Sequence, residues 1–248
     1  LSNLEGKTLL QSVWRWMCKQ SAGLGVHPGP QWKEFENAGY ANKMYRMYNL
    51  VPLTNCSAPL RNHPAHFLFL GRVVREKGAD AALDAFLRLR REGHDDIQIT
   101  IAGGGDLVPS LRARVRASAH TSAVSIPGYV QDEELERVRR QANVFVLPSR
   151  HQEGFPFSFL ECAERGMACI ITTNSAVPEV FEPEKEFQPV DLDNPQDLYE
   201  QMKRMVVDPK YREHIGQAGQ TAVRDCCTID AAADRFAAHY KELRKEKR

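Results

Sequence analysis

Two short stretches of the chain combine cations, carboxylates and glycine in patterns suited to an anionic, hydroxyl-rich ligand. The first reads Gly71-Arg72-Val73-Val74-Arg75-Glu76-Lys77-Gly78. An arginine can grip phosphate oxygens bidentately, a lysine supplies a compact point charge, and a glycine lets a ligand approach the backbone closely. Beside a helix N-terminus, Arg72 and Lys77 could neutralise a diphosphate. A solvated basic loop is the alternative reading. The stretch lacks the G-x-x-x-x-G-K-[ST] spacing of a Walker loop.

The second stretch runs from Pro148 to Glu161 and places two carboxylates, Glu153 and Glu161, eight positions apart. At that separation, one to two turns along the path, they could reach different hydroxyl-bearing parts of one extended ligand. Gly154 allows tight approach, Phe155 beside it is a further candidate for substrate contact, and the amides near Phe157 and Ser158 open a helix where phosphate oxygens could be met. Two ordinary helix-terminal glutamates are the plainer alternative. His151 stands next to these residues, either touching ligand or exposed in its loop.

Other candidates are weaker. Asp191-Leu192-Asp193 spells D-x-D, but its position before Pro195 and a helix reads as loop and capping residues. Gly103-Gly104-Gly105 lacks G-x-G-x-x-G spacing, so a dinucleotide site is not expected. The six cysteines are Cys18, Cys56, Cys162, Cys169, Cys226 and Cys227, with no C-x-x-C pair. Scattered reduced thiols, rather than a disulfide framework or a zinc site, fit a cytoplasmic protein. No metal and no cofactor is expected.

The elements that must position these residues begin at His66. Strands are expected at His66–Gly71, Ile97–Ala102, Val124–Ile126, Val144–Pro148 and Ala168–Thr172. Helices are expected at Ala79–Arg91, Leu107–Ser118, Asp132–Gln141 and Phe157–Arg165, and the chain from Pro195 onward reads as helical. Strand runs that are apolar throughout and alternate with helices predict a doubly wound parallel α/β sheet covered on both faces. Ligands of such sheets bind beyond the carboxyl ends of the strands. Both charged stretches lie there.

Residues 1–60 read differently, with a helix over Leu4–Gln20, a turn at His27–Pro30, a strand over Lys43–Val51 and a linker over Pro52–Pro64. They are too short for an independent α/β domain. The 248-residue chain has 33 Lys and Arg against 32 Asp and Glu, so its overall charge points to no nucleic acid partner. No apolar run reaches the roughly 18 residues of a membrane span. The basic helix around Arg112–Arg116 and the tail Lys241–Arg248 are candidates for peripheral contact with anionic lipid, with a solvated face as the alternative.

Four segments in order, GRVVREKG, SIPGYVQDEEL, FVLPSRHQEGFPFSFLECAERG and ACIITTNSAVPEV, resemble the glycosyltransferase group 1 family of retaining GT-B enzymes, over roughly residues 66–245. The resemblance implies a Rossmann-like, C-terminal donor-binding domain of a GT-B fold, at residues 61–248, behind the truncated tail of an acceptor-side domain at residues 1–60. It implies that Arg72 and Lys77 bind the diphosphate of a UDP- or GDP-sugar and that Glu153 holds the donor sugar. It implies further that Glu161 holds the ribose hydroxyls, that the main chain of Phe157 and Ser158 reaches the donor, and that the main chain of Val130 meets the base. Pro156, Cys162 and Ser175-Ala176 depart from the family's usual residues and leave the sugar unspecified. The expected reaction is transfer to a glycan, lipid or small-molecule acceptor, at the inner face of a membrane should lipid be bound. Two alternatives stand beside it. One is a nucleotide-sugar-binding module that needs a separate acceptor-binding chain; the other, a non-hydrolysing epimerase of like architecture, is disfavoured by the paired glutamates.

Overall fold

The computed structural model describes residues 8–54, 63–194 and 196–245. Positions 1–7, 55–62 of the expected linker (with Cys56), Pro195 and 246–248 of the basic tail lie outside the described residues. The N-terminal segment contains α1 (Thr8–Gln20), β1 (Leu24–Val26), α2 (Pro30–Asn37) and β2 (Met44–Arg46). β1 and β2 form a parallel pair of their own. The strand expected over Lys43–Val51 is thus only three residues long. Its partner ends at Val26, and beyond it the backbone turns elsewhere, Val51 N–H donating to the Cys227 carbonyl at 2.9 Å.

The main body alternates as the apolar runs require. It comprises β3 (His66–Leu70), α3 (Ala79–Arg91), β4 (Gln98–Ala102), α4 (Val108–Arg116), β5 (Val124–Gly128), α5 (Asp132–Gln141), β6 (Val144–Leu147), α6 (Phe157–Glu164) and β7 (Ala168–Thr172). β8 (Gln188–Val190), α7 (Asp197–Val207), α8 (Pro209–Cys226) and α9 (Ile229–Lys245) follow. The six-stranded sheet has the order β5-β4-β3-β6-β7-β8, and every pairing is parallel. β3, β6 and β7 are buried almost throughout because helices cover both faces. Right-handed crossovers put α3 and α4 on one face and α5 and α6 on the other. α7 packs on α3, and α8 packs on α6 and β7. The chain has the expected doubly wound, Rossmann-like α/β fold.

β8 has no counterpart in the sequence reading. Pro189 sits in its middle and removes a donor, which argues against a strand except at an edge. β8 is that edge, pairing with β7 alone. α9 returns to the N-terminal segment, where His239 lies 4.6 Å from the Tyr45 ring and the Arg235 guanidinium 4.6 Å from Tyr48. The buried Glu164 of α6 accepts from the Thr54 N–H (3.2 Å), the Thr54 hydroxyl (2.5 Å) and Arg224 (3.0 Å), tying the start of the expected linker to α6 and α8.

Candidate functional site

β3 and β6 are neighbours, but the chain leaves β3 toward β5 and leaves β6 toward β8. The strand order reverses between them, so the loops at their carboxyl ends diverge and open a crevice. Those loops are the two stretches whose residue types suggested diphosphate and hydroxyl recognition.

Main-chain hydrogen bonds stitch the loops together. The Glu76 carbonyl accepts from the N–H groups of Arg150 (2.7 Å) and His151 (3.2 Å) and from the buried Ser149 hydroxyl (3.1 Å). Arg150 donates to the Arg75 carbonyl at 2.7 Å and to Asp80 at 2.9 Å. Gly78 makes the approach possible: its φ is +76°, and a Cβ there would stand 1.9 Å from the Pro148 carbonyl oxygen. No other residue type fits.

The stitching sets Lys77 against Glu153, with Nζ 2.5 Å from Oε1. Glu153 is 7% exposed, so the pair satisfies a carboxylate otherwise costly to bury. Its N–H donates to the Asn174 carbonyl at 3.0 Å, and the Gly154 carbonyl accepts from Ala176 at 2.9 Å, so the loop after β7 fixes this backbone. Arg72 is exposed and has no hydrogen-bond or ion-pair partner among the described residues. It is a cation available to a ligand.

α6 begins at Pro156, which caps no N–H with a side chain. The first-turn amides of Phe157 and Ser158 therefore have no intrahelical acceptor and retain the capacity to bind an anion. Phe155 lies in the same loop as Glu153. Its ring is buried, stacked on Phe181 at 5.8 Å and close to Tyr48 at 5.7 Å, and its carbonyl accepts from Asn49 at 2.5 Å. Phe155 also lines a cleft beside Gly154. Val130 likewise buries its side chain, leaving main chain between β5 and α5, beside the glycine loop that joins it through Gly103 N–H to the Gly128 carbonyl (2.7 Å).

Glu161 is not brought to Glu153's partners. Its carboxylate pairs with the buried Arg139 of α5, a contact no local spacing announces because the two lie 22 residues apart. Arg139 also bonds Glu136 at 2.8 Å, and Arg165 reaches the same Glu136 oxygen at 2.8 Å. Burial alone would raise the Glu136 carboxyl, but the two guanidiniums outweigh it and hold the group below its ordinary value. Behind Glu161, burial pushes the Cys162 thiol up to about 12, so it is an inert packing residue.

Asp191 accepts from the Asp193 N–H at 2.9 Å, and the Asp191 N–H donates to Asp197 at 2.7 Å, a turn arrangement. Among the described residues no His, Cys, Asp and Glu group is arranged to hold a metal ion. No helix among them is long and apolar enough to cross a membrane. Cys18, Cys162, Cys169, Cys226 and Cys227 are free thiols. Arg112, Arg114 and Arg116 face solvent. A cleft of about 510 Å³ lies between the N-terminal segment (His27, Gln31, Asn49) and the exposed His151, Gln152 and Gly154.

The chain is similar to known proteins in sequence and in fold. The profile of the family described as "Glycosyl transferases group 1" matches residues 57–222. The chain is 26% identical over 176 residues to alpha-D-kanosaminyltransferase of Streptomyces kanamyceticus, covering 71% of this chain and 45% of that protein. Anabaena HepE, solved in complex with UDP, superposes with a TM-score of 0.79 at 13% identity, over 98% of this chain and 70% of that one. The C-terminal domain of a Francisella tularensis group 1 glycosyl transferase superposes with a TM-score of 0.59 at 21% identity, covering 69% of this chain and 89% of that domain. The chain spans less than half the length of the curated relatives it matches.

Proposed function

The chain belongs to the glycosyl transferases group 1 family, and on that premise we propose that its crevice binds a UDP- or GDP-sugar for retaining transfer to a hydroxyl acceptor. The observation that carries this reading is the junction of the two loops at the strand-order reversal. There Lys77 meets the buried Glu153, the unpaired Arg72 stands in the same β3 loop, and the free α6 amides follow Glu153 in the β6 loop. Cations beside amides suit a diphosphate, and a buried, fixed carboxylate suits sugar hydroxyls. UDP in the structurally similar HepE supports the choice of ligand class.

Departure of the nucleoside diphosphate leaves negative charge on its β-phosphate oxygen. Arg72, Lys77 and the amides of Phe157 and Ser158 are preorganised to stabilise that charge, the main electrostatic requirement of the reaction. The leaving phosphate assists deprotonation of an acceptor attacking the same face, which retains the anomeric configuration. Glu153 orients the sugar and forms no bond to it. The main chain of Val130 meets the base, and the cleft beside Gly154 gives the acceptor its approach.

Residues 8–54 contribute two helices and two three-residue strands, so the acceptor wall that they form is slight. This favours, as a second reading, a donor-binding unit that transfers little sugar without a further acceptor-binding domain or chain. Effective molarity falls when one reactant is unheld. Calorimetry with UDP and GDP, each with and without EDTA, tests the donor assignment. One of the two binds, and chelation leaves its affinity unchanged. Binding of neither, or binding lost in EDTA, contradicts it.

A further inference from the structure

Glu161 sits on a helix face at 33% exposure, where a glutamate ordinarily rotates about three side-chain bonds. Here Arg139 Nη2 takes its Oε2, and no protein donor reaches Oε1 among the described residues. Arg139 is not itself free to move. Its side chain is 7% exposed, and its Nη1 is held by Glu136, whose same oxygen receives Arg165 at 2.8 Å. Arg165 closes the frame by donating to the Glu161 carbonyl at 2.9 Å. α5 and α6 therefore grip Glu161 at both carboxylate and backbone. If Glu161 swung away, it would strand part of a buried guanidinium, a strong bias toward the paired geometry.

Resting on the donor reading above, we infer that Arg139 is a positioning residue for donor recognition: its fork fixes Glu161 so that the one unpaired carboxylate oxygen is presented to the ribose diol. Arg139 touches no donor atom in this account. It acts by removing the rotational freedom that Glu161 would otherwise lose on binding. The planar fork matters, because a lysine offers a point charge that fixes position less sharply.

The experiment compares the affinities of the full chain for UDP and for 2′,3′-dideoxy-UDP, which lacks the hydroxyls Glu161 receives. Wild-type protein prefers UDP. Arg139→Met lowers UDP affinity about two- to ten-fold, the cost of ordering one freed side chain, and leaves the dideoxy affinity unchanged. Arg139→Lys lies between the two. Arg139→Met added to Glu161→Gln produces no further loss. An Arg139→Met or Arg139→Lys protein with its preference for UDP intact overturns the inference. So does an equal loss for both ligands accompanied by a lower melting temperature, which marks a purely structural residue. If wild-type protein binds UDP without discriminating the diol, the ribose assignment of Glu161 fails instead.

Discussion

Lys77 Nζ lies 2.5 Å from Glu153 Oε1, a contact between residues 76 positions apart that joins the β3 loop to the β6 loop. In the proposed function the pair links the two halves of the donor, the cation being assigned to the diphosphate and the carboxylate to the sugar. On that proposal a diphosphate entering the crevice would share Lys77 with Glu153.

The pair separates the roles of the two glutamates. Glu153→Ala frees Lys77 from its counter-ion, so affinity for UDP stays unchanged or rises while affinity for a UDP-sugar falls. Glu161→Ala weakens UDP and UDP-sugar alike, by about 1.5–3 kcal/mol for the lost hydroxyl contacts. Titrations of both variants with both ligands check this. Equal effects on both ligands in both variants contradict the assignment.

Gly78→Ala tests the junction itself. The added Cβ meets the Pro148 carbonyl and the residue must hold φ +76°. We expect a destabilisation of about 2–4 kcal/mol, from left-handed backbone strain and overpacking together, with weakened UDP binding. Urea unfolding of wild type and variant measures it. Unchanged stability would show that the loops are not held in this register.

The repeat of apolar runs and helices made the sheet legible, because β3, β4, β6 and β7 lie buried between helices and so read as near-continuous hydrophobicity, while the edge strand β5 is only half-buried. β8 was not legible, since Pro189 makes a poor strand everywhere except at an edge, and being an edge is a property of the whole sheet. The place of the candidate site residues in the fold was legible as far as local motifs reach: Arg72, Lys77, Glu153, Glu161 and the α6 amides all lie in loops after the carboxyl ends of strands or on the helix that follows. Their partners were not. Arg139 meets Glu161, and Asn49 meets the Phe155 carbonyl, across long separations that only packing sets. The burial of the Phe155 ring against Phe181 is likewise invisible in a loop sequence.

His66 gives a pH signature at the other end of β3. Burial lowers its pKa below the ordinary 6.5, and a hydrogen bond to the Gln141 carbonyl only partly opposes this. The folded state therefore binds the proton less readily than the unfolded chain. Its contribution is fully present above the unfolded value and is lost as pH falls from there through the folded value. Urea midpoints at about pH 7.5 and about pH 5.5 should drop more in wild type than in His66→Gln. Equal drops in the two proteins would contradict the assignment.

The central claim is that a nucleoside diphosphate binds at the β3–β6 crevice through Arg72 and Lys77. Calorimetry of UDP or GDP, whichever wild-type protein binds, against Arg72→Ala/Lys77→Ala tests it most directly. Loss of two charge-assisted contacts should cost on the order of 3–6 kcal/mol, enough to bring binding near or below detection, in a variant that still folds but melts below wild type because the buried Glu153 has lost Lys77. A well-folded double variant that binds the nucleoside diphosphate as tightly as wild type would contradict the account.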